Sequence, residues 1–478
     1  MKRQLKRNAR TTVCLCCNGE YRTRISISAL CLEDSNSDYD DLQALFYRMQ
    51  NDDNNVEMPS YRPLHRELCE KIRRRSLRET EAISMRPARC LAPVSLGELK
   101  LGPLLGMGGF SKVYAVQSVN ATSKHQSFTK DEILARRSLT NSTKNGRLDE
   151  SRLAVKVLKR KLLANPKKFA NAAIDLITEA AFLNTLSHPN IIKIRGFASA
   201  GVDAYNSGRH DGFFMVVDRL NETLEHRIVR WRRTYRQLGR GRVGKVLFGD
   251  KSGGKKRSQL MLERLRVALE IARGLEYLHN NGLIFRDLKP CNVGFDVFGT
   301  AKIFDFGLCR ELPSVNRTDK GHDESYRMSG GVGTYHYMAP EVRSSSAYNQ
   351  KADVYSFGVL LHEMLSLNRP VVTKRRKTTR EEGVPDEVDI YCPMCSCWPS
   401  EITDLLTRML STDASSRPNS NKVCESLKTA ITSLENAEPL ECVTLSKKKK
   451  KQQGSNDTVC GNTLRSTVRS SLSRSVKV

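Results

Sequence analysis

Between residues 284 and 310 the chain reads IFRDLKPCNVGFDVFGTAKIFDFGLCR, in which two of the acids, one lysine and an amide stand at fixed offsets between short apolar runs. Asp287, Lys289, Asn292 and Asp305 are the residues whose types could do chemistry. A carboxylate and an amide oxygen suit a hard divalent cation, and a lysine suits a phosphate. A second carboxylate can position a hydroxyl for attack. Two polar turns between strands in any α/β protein would carry the same residue types, so the rest of the chain decides between the readings.

The eight residues FRDLKPCN resemble the catalytic loop of the protein kinase family, H-R-D-L-x-x-x-N, at every fixed position but the first, and Asp305, Phe306 and Gly307 supply the D-F-G that follows it. Phosphoryl transfer asks mainly for positioning and charge neutralisation. The resemblance implies that Asp287 is the base or positioner, that Lys289 supports the transferring phosphate, and that Asn292 and Asp305 hold Mg²⁺. ATP is the implied phosphate donor.

Other segments carry the same resemblance in the same order. Around LLGMGGFSKVY a glycine cluster sits between two alternating runs, which reads as strand, turn, strand. In the family's G-x-G-x-x-G-x-V pattern Gly106, Gly108 and Val113 match, Gly109 adds a glycine, and Ser111 stands where the third belongs. In RLAVKVLK, Leu153, Val155 and Val157 alternate as a strand, and the family pattern places Lys156 on the nucleotide phosphates with Ala154 lining the same pocket. Glu179 falls in an Ala- and Leu-rich helical stretch where the partner of that lysine is expected. The run GFFMVVDRL leads to a hinge, with Val217 at the back of the pocket and the backbone of Asp218 to Leu220 facing adenine.

Downstream, Arg286 is the implied partner of a phosphate on the following loop, for which Thr318, Ser325, Tyr326 and Ser329 are the candidate acceptors. Thr334 precedes the substrate-binding turn. Glu341 closes the A-P-E motif and is expected to pair with Arg417, while Asp353 is expected to brace the catalytic loop. The chain departs from the pattern at Ser111 and at Phe285, which replaces the loop histidine; Phe285 is expected to fill that slot and stack on Phe306.

The elements that must position these residues follow from the resemblance. It implies an α+β, bilobal fold: a small antiparallel β lobe with one helix over 96–220, a larger, mainly helical lobe over 221–435, and ATP between them. Residues 1–95 show no sustained period and read as a largely disordered arm, and 436–478 as a basic, Ser/Arg-rich, disordered tail. The polar stretch 118–151 reads as a solvated insertion. The basic stretch 227–257, with Trp231 and Tyr235, reads either as a docking surface or as a solvated helix end and loop.

In its 478 residues the chain has 79 Lys and Arg against 52 Asp and Glu, a formal charge of +27. Such an excess favours acidic proteins, nucleic acid or a membrane surface as partners. Aromatic residues make up only 6%, too few for extended base-stacking platforms. Fourteen cysteines are too sparse for a disulfide scaffold and imply a reducing compartment. Cys392 and Cys395 offer a C-x-x-C pair, and unpaired thiols are the default over zinc. No apolar run has the length of a membrane span. The chain reads as cytoplasmic; the block Lys447–Lys451 could be read by nuclear import, RNA or an anionic membrane, and the Arg-rich first thirty residues leave an organelle transit peptide open. Oligomeric state is not legible. The function expected is an ATP-dependent serine/threonine kinase acting on proteins; a dual-specificity enzyme and a pseudokinase scaffold binding acidic partners are the alternatives.

Overall fold

The computed structural model describes residues 66–84, 86–120, 128–143, 152–239, 251–312, 325–374, 388–391 and 398–436. The first element is a 19-residue helix, α1 (Arg66–Ser84), within the stretch expected to be largely disordered. Its buried positions are Cys69, Ile72, Ser76 and Ile83, spaced as one face of a 3.6-residue period. Two of the four are not hydrocarbon side chains and charged residues fill most other positions, so the helical period is present but the stretch is polar on average and reads as unstructured.

A short strand, β1 (Ala92–Val94), leads to the hairpin of β2 (Leu99–Met107) and β3 (Ser111–Val119), which turns at the glycine cluster. Next comes α2 (Lys130–Asn141), at the centre of the stretch expected to be a solvated insertion. Its start is fixed by a capping box in which the Thr129 and Glu132 side chains bond each other's backbone N–H. Its Arg136 is buried and donates to the Glu98 carboxylate and to the carbonyl of Pro93, so the insertion closes the sheet edge. Then follow β4 (Leu153–Leu158), α3 (Pro166–Thr185), β5 (Ile194–Ala198) and β6 (Phe214–Asp218). Asn165 caps α3 by accepting from the Lys168 N–H at 3.0 Å, and Pro166 takes the first turn, where no N–H is needed.

These strands make one six-stranded sheet in the order β1-β5-β6-β4-β3-β2, antiparallel except where β1 joins β5. Gly196 permits that parallel addition, because a Cβ there would lie 2.7 Å from the carbonyl of Ala92. The small lobe therefore carries two helices, α1 and α2, besides the expected α3.

The large lobe starts with β7 (Glu222–Thr223), α4 (Leu224–Gly239) and α5 (Lys251–Asn280). Both ends of the basic stretch 227–257 are thus helical; 240–250 lie outside the described residues. Trp231 is buried and donates to Glu263 at 2.8 Å, which joins α4 to α5 and removes that ring from any docking surface. After β8 (Leu283–Ile284) come β9 (Val293–Phe295), β10 (Ala301–Ile303) and β11 (Arg310–Glu311). They form the small sheets β10-β9-β7 and β11-β8, with residues 285–292 running between β8 and β9. The short α6 (Pro340–Arg343) precedes α7 (Lys351–Ser366), in which Lys351 through Leu365 are all buried. The pair β12 (Val371–Lys374) and β13 (Val388–Tyr391), then α8 (Ser400–Met409) and α9 (Ser420–Asn436), complete the lobe. Helix α5 packs against α4, α7 and α9, and its buried face is continuous with the core of the small lobe.

Candidate functional site

The buried carboxylate of Asp353, on α7, accepts from the backbone N–H groups of Phe285 and Arg286, each at 2.8 Å. His279, at the end of α5, lies 3.0 Å from the same carboxylate and 3.1 Å from Ser420 Oγ. This brace offsets a strained backbone, since Arg286 has φ 71° without being glycine. Gly333, at φ 99°, lies against that kink: a Cβ there would stand 2.4 Å from the Arg286 carbonyl oxygen.

The kink delivers Asp287 into a ring of polar contacts. Lys289 Nζ donates to Asp287 Oδ2 at 2.6 Å and to Thr334 Oγ1 at 2.8 Å, and Thr334 in turn donates to Asp287 Oδ1 at 2.8 Å. Asn292 Nδ2 donates to the Asp287 carboxylate and carbonyl, both at 2.9 Å. Burial works against the Lys289 charge, but the Asp287 carboxylate outweighs it and holds the ammonium above its ordinary range.

Lys156 extends from β4 to Glu179 of α3 at 2.6 Å and to Asp305 at 2.9 Å. Burial opposes its charge, and the two carboxylates overcome that and raise its pKa. Burial pushes Glu179 up to about 7 against the pull of Lys156. The Lys156 ammonium holds Asp305 below the usual carboxylate range, and Asp305 is 48% exposed while Glu179 is 5% exposed. Asp305 also has φ 71°, a left-handed conformation uncommon for a residue other than glycine. Phe306 meets Phe285 edge-on, at 5.1 Å between centroids and 74° between planes. The two rings fill one slot, as a T-shaped contact rather than the stack expected.

Sheet register collects the remaining small-lobe residues. Gly106 pairs with Val113 and Val113 with Lys156, while Ala154 pairs with Val217. Alternation along β4 puts Ala154 and Lys156 on one face. Ser111 pairs with Leu158, and its carbonyl accepts from the Gly108 N–H at 3.0 Å. At the hinge the Asp218 N–H bonds the Lys193 carbonyl, so the adenine contacts expected from this segment rest on the Asp218 carbonyl and on Leu220.

Two features had no sequence expectation. Lys159 donates to the carbonyl of Gly108, and to that of Gly109 at 3.3 Å, which pins the glycine turn from below; its place three residues after Lys156 is the one signal. Gly294 leaves room beside Leu220 and Phe304, because a Cβ there would lie 2.6 Å from Leu220. A glycine inside a strand marks such close approaches.

On the loop after Phe306, Arg286 donates to the exposed hydroxyl of Ser329 at 2.9 Å and to the Leu308 carbonyl at 2.6 Å. Tyr326 forms a bridge with Tyr348, Ser325 is exposed and makes no comparable contact, and Thr318 lies outside the described residues. Glu341 is gripped by the buried guanidinium of Arg417 through two bonds, at 2.6 and 2.9 Å.

The donor set suits the implied groups. Asn292 spends its amide hydrogens on Asp287, which leaves its oxygen, with the half-exposed Asp305, as ligands for a hard cation. Magnesium takes one or two such oxygens together with phosphates. Among the described residues no cluster of three or more His, Cys, Asp or Glu could hold a metal by itself, and no helix is long and apolar enough to cross a membrane.

Comparison with known proteins bears on the same residues. The chain is 33% identical to serine/threonine-protein kinase BIK1 of Arabidopsis thaliana over 44% of its own length and 45% of that protein. It is 30% identical to the probable serine/threonine-protein kinase PBL10 of the same plant over 53% of its length and 57% of the relative. A probable serine/threonine-protein kinase of Dictyostelium discoideum is 26% identical over 75% of this chain and 19% of that protein. The chain thus spans well under two thirds of these relatives. The family described as protein kinase domain matches residues 142–427, the stretch that holds Lys156, Glu179, Asp287 and Asp305 in one cleft between two lobes. By that match and this architecture the chain belongs to the protein kinase family.

Proposed function

We propose that this protein kinase transfers the γ-phosphate of ATP, with Mg²⁺, to serine and threonine hydroxyls of protein substrates. The observation that carries the reading is the ring of Asp287, Lys289 and Thr334, in which a hydroxyl already donates to the carboxylate at 2.8 Å. A substrate hydroxyl presented in the same way passes its proton to Asp287 as its oxygen bonds to phosphorus and the bond to the departing ADP oxygen breaks. Lys289 steadies the transferring charge, and Lys156, aligned by Glu179, holds the phosphates further back. Asn292 and Asp305 would hold Mg²⁺, which supplies neutralisation of phosphate charge. The glycine turn at Gly106, Gly108, Gly109 and Ser111 covers the phosphates, while Val113, Ala154 and Val217 enclose adenine.

Ser329 is the favoured activating acceptor, because it is exposed and already bonded to Arg286. A phosphate there would replace a neutral contact by a charge-assisted one.

Incubation with labelled ATP followed by phosphoamino-acid analysis tests the reading. The expected result is phosphoserine and phosphothreonine from the wild type, label on Ser329 in the same digest, and none from Asp305→Ala. Asp287→Asn should slow transfer by about 10²- to 10⁴-fold. Equal labelling by wild type and Asp305→Ala would leave a scaffold in place of an enzyme, and phosphotyrosine would remove the hydroxyl preference.

A further inference from the structure

Helix α3 is buried almost all round: Phe169, Ala172, Ile174, Leu176, Ala180 and Leu183 point to different sides and are all shielded. A helix without a polar face needs cover on two sides. The sheet provides one, and α1 provides the other, lying along α3 with Cys69, Ile72, Ser76 and Ile83 turned inward. Cys69 Sγ also reaches the carbonyl of Tyr205 at 3.3 Å, and the Tyr205 ring meets Phe169 of α3 edge-on.

Polar contacts fix both ends of α3 to the same segment. Near its start, Arg75 donates to Asn171 at 3.2 Å. At its end the last turn contains no cation, yet the final carbonyls are met: Arg89 donates to Leu183 O at 2.7 Å and its backbone N–H to Asn184 O at 3.3 Å. A guanidinium at that position both satisfies orphan carbonyls and complements the helix dipole.

This segment also grips the chain just after Asp305-Phe306-Gly307. Arg86 bonds Glu311 at 2.5 Å and the carbonyl of Asn281 at 2.7 Å, and Glu79 lies 3.8 Å from Arg310. The turn at Phe306–Leu308 packs directly on α3. One piece of chain therefore touches α3, which carries Glu179 to within 2.6 Å of Lys156 on β4, and also touches β11 and the end of α5.

We propose that residues 66–84 and 86–89 are a built-in clamp that positions α3, and through it Glu179, against Lys156, with Arg86 and Arg89 as positioning residues. Releasing the clamp frees α3 and β11 together and uncouples the Lys156–Glu179 pair without unfolding the large lobe. The consequence for catalysis rests on the kinase reading above; the structural coupling does not.

The test uses the full chain with Ser76→Asp, which forces a carboxylate into the α1–α3 contact, and Ser76→Ala, which fits there. Hydrogen exchange over residues 166–185 and 305–312 is compared with exchange over α7, alongside steady-state kinetics with ATP. Ser76→Asp should speed exchange in the first two segments by about tenfold or more, leave α7 protected, and lower kcat/KM for ATP by a similar factor. Ser76→Ala should change neither. If Ser76→Asp loosens α7 as well, Arg86→Ala/Arg89→Ala decides: selective loosening of α3 supports the clamp, and none overturns it. Arg89→Lys should recover part of the α3 protection by restoring a cation at the helix end. Wild-type exchange in α3 of Ser76→Asp overturns the proposal whatever the kinetics. Selective loosening in a protein that transfers no phosphate would keep the clamp and remove the catalytic reading.

Discussion

Glu179 carries a carboxyl that burial raises to about 7 while Lys156 pulls it down. Its ionised form is the one that pairs with Lys156, so phosphate transfer should climb between about pH 6 and 8, with its midpoint near 7, and level off above about 8. The Glu179→Gln variant should be slower and should lose that rising limb in a kcat/KM profile against ATP. Stability runs the other way. The folded chain holds this proton more tightly than the unfolded chain, whose value is near 4.5, so the contribution is present below about 4.5 and drains as pH rises toward 7. Phe285 carries a different lesson at this scale. It stands where the family has histidine, yet Asp353 braces the loop through backbone N–H groups, which any side chain leaves intact.

Among the elements, α6 is held in place by Arg417, whose side chain is fully buried on Glu341. Removing one partner of a buried pair leaves the other charge uncompensated. Arg417→Ala should cost about 3–5 kcal/mol in urea unfolding, with Arg417→Lys in between because it cannot form the two-bond fork. Pairs of this kind are legible in the amino-acid sequence, since chemistry restricts the residue types and the family fixes their order. The helices α1 and α2 are not. Cys69 and Ser76 dilute the stripe of α1, and Arg73 to Arg75 run beside it, so its burial depends on a partner nearly a hundred residues downstream. For α2 a signal does exist in Thr129 and Glu132, the T-x-x-E spacing of a capping box, but the surrounding Ser, Thr, Lys and Asn mask it. The burial of Arg136 on Glu98 arises only when the sheet edge brings them together.

For the whole molecule, the charge of +27 is spread along the chain: residues 437–478 hold nine Lys and Arg against three acids, and α4 and α5 add exposed cations such as Arg230, Arg233, Lys255 and Lys256. The intact chain should bind an anionic matrix such as heparin at low ionic strength. Retention should fall steeply as the screening length shrinks from about 10 Å at 0.1 M salt to about 3 Å at 1 M; salt-insensitive retention would rule out this electrostatic attraction. The family match starts at residue 142, after β1, β2 and β3, so three of the six strands of the large sheet precede it, as does all of α1. Protein synthesis gives that order a meaning. Helix α1 leaves the ribosome before α3 has been translated, and for that interval nothing exists to cover its inner face. A stripe half made of cysteine and serine, flanked by arginines, tolerates water during the wait, where a row of leucines would invite aggregation. The polar composition that hid this helix is then what suits it to wait in water until residue 185 has emerged and the helix can dock.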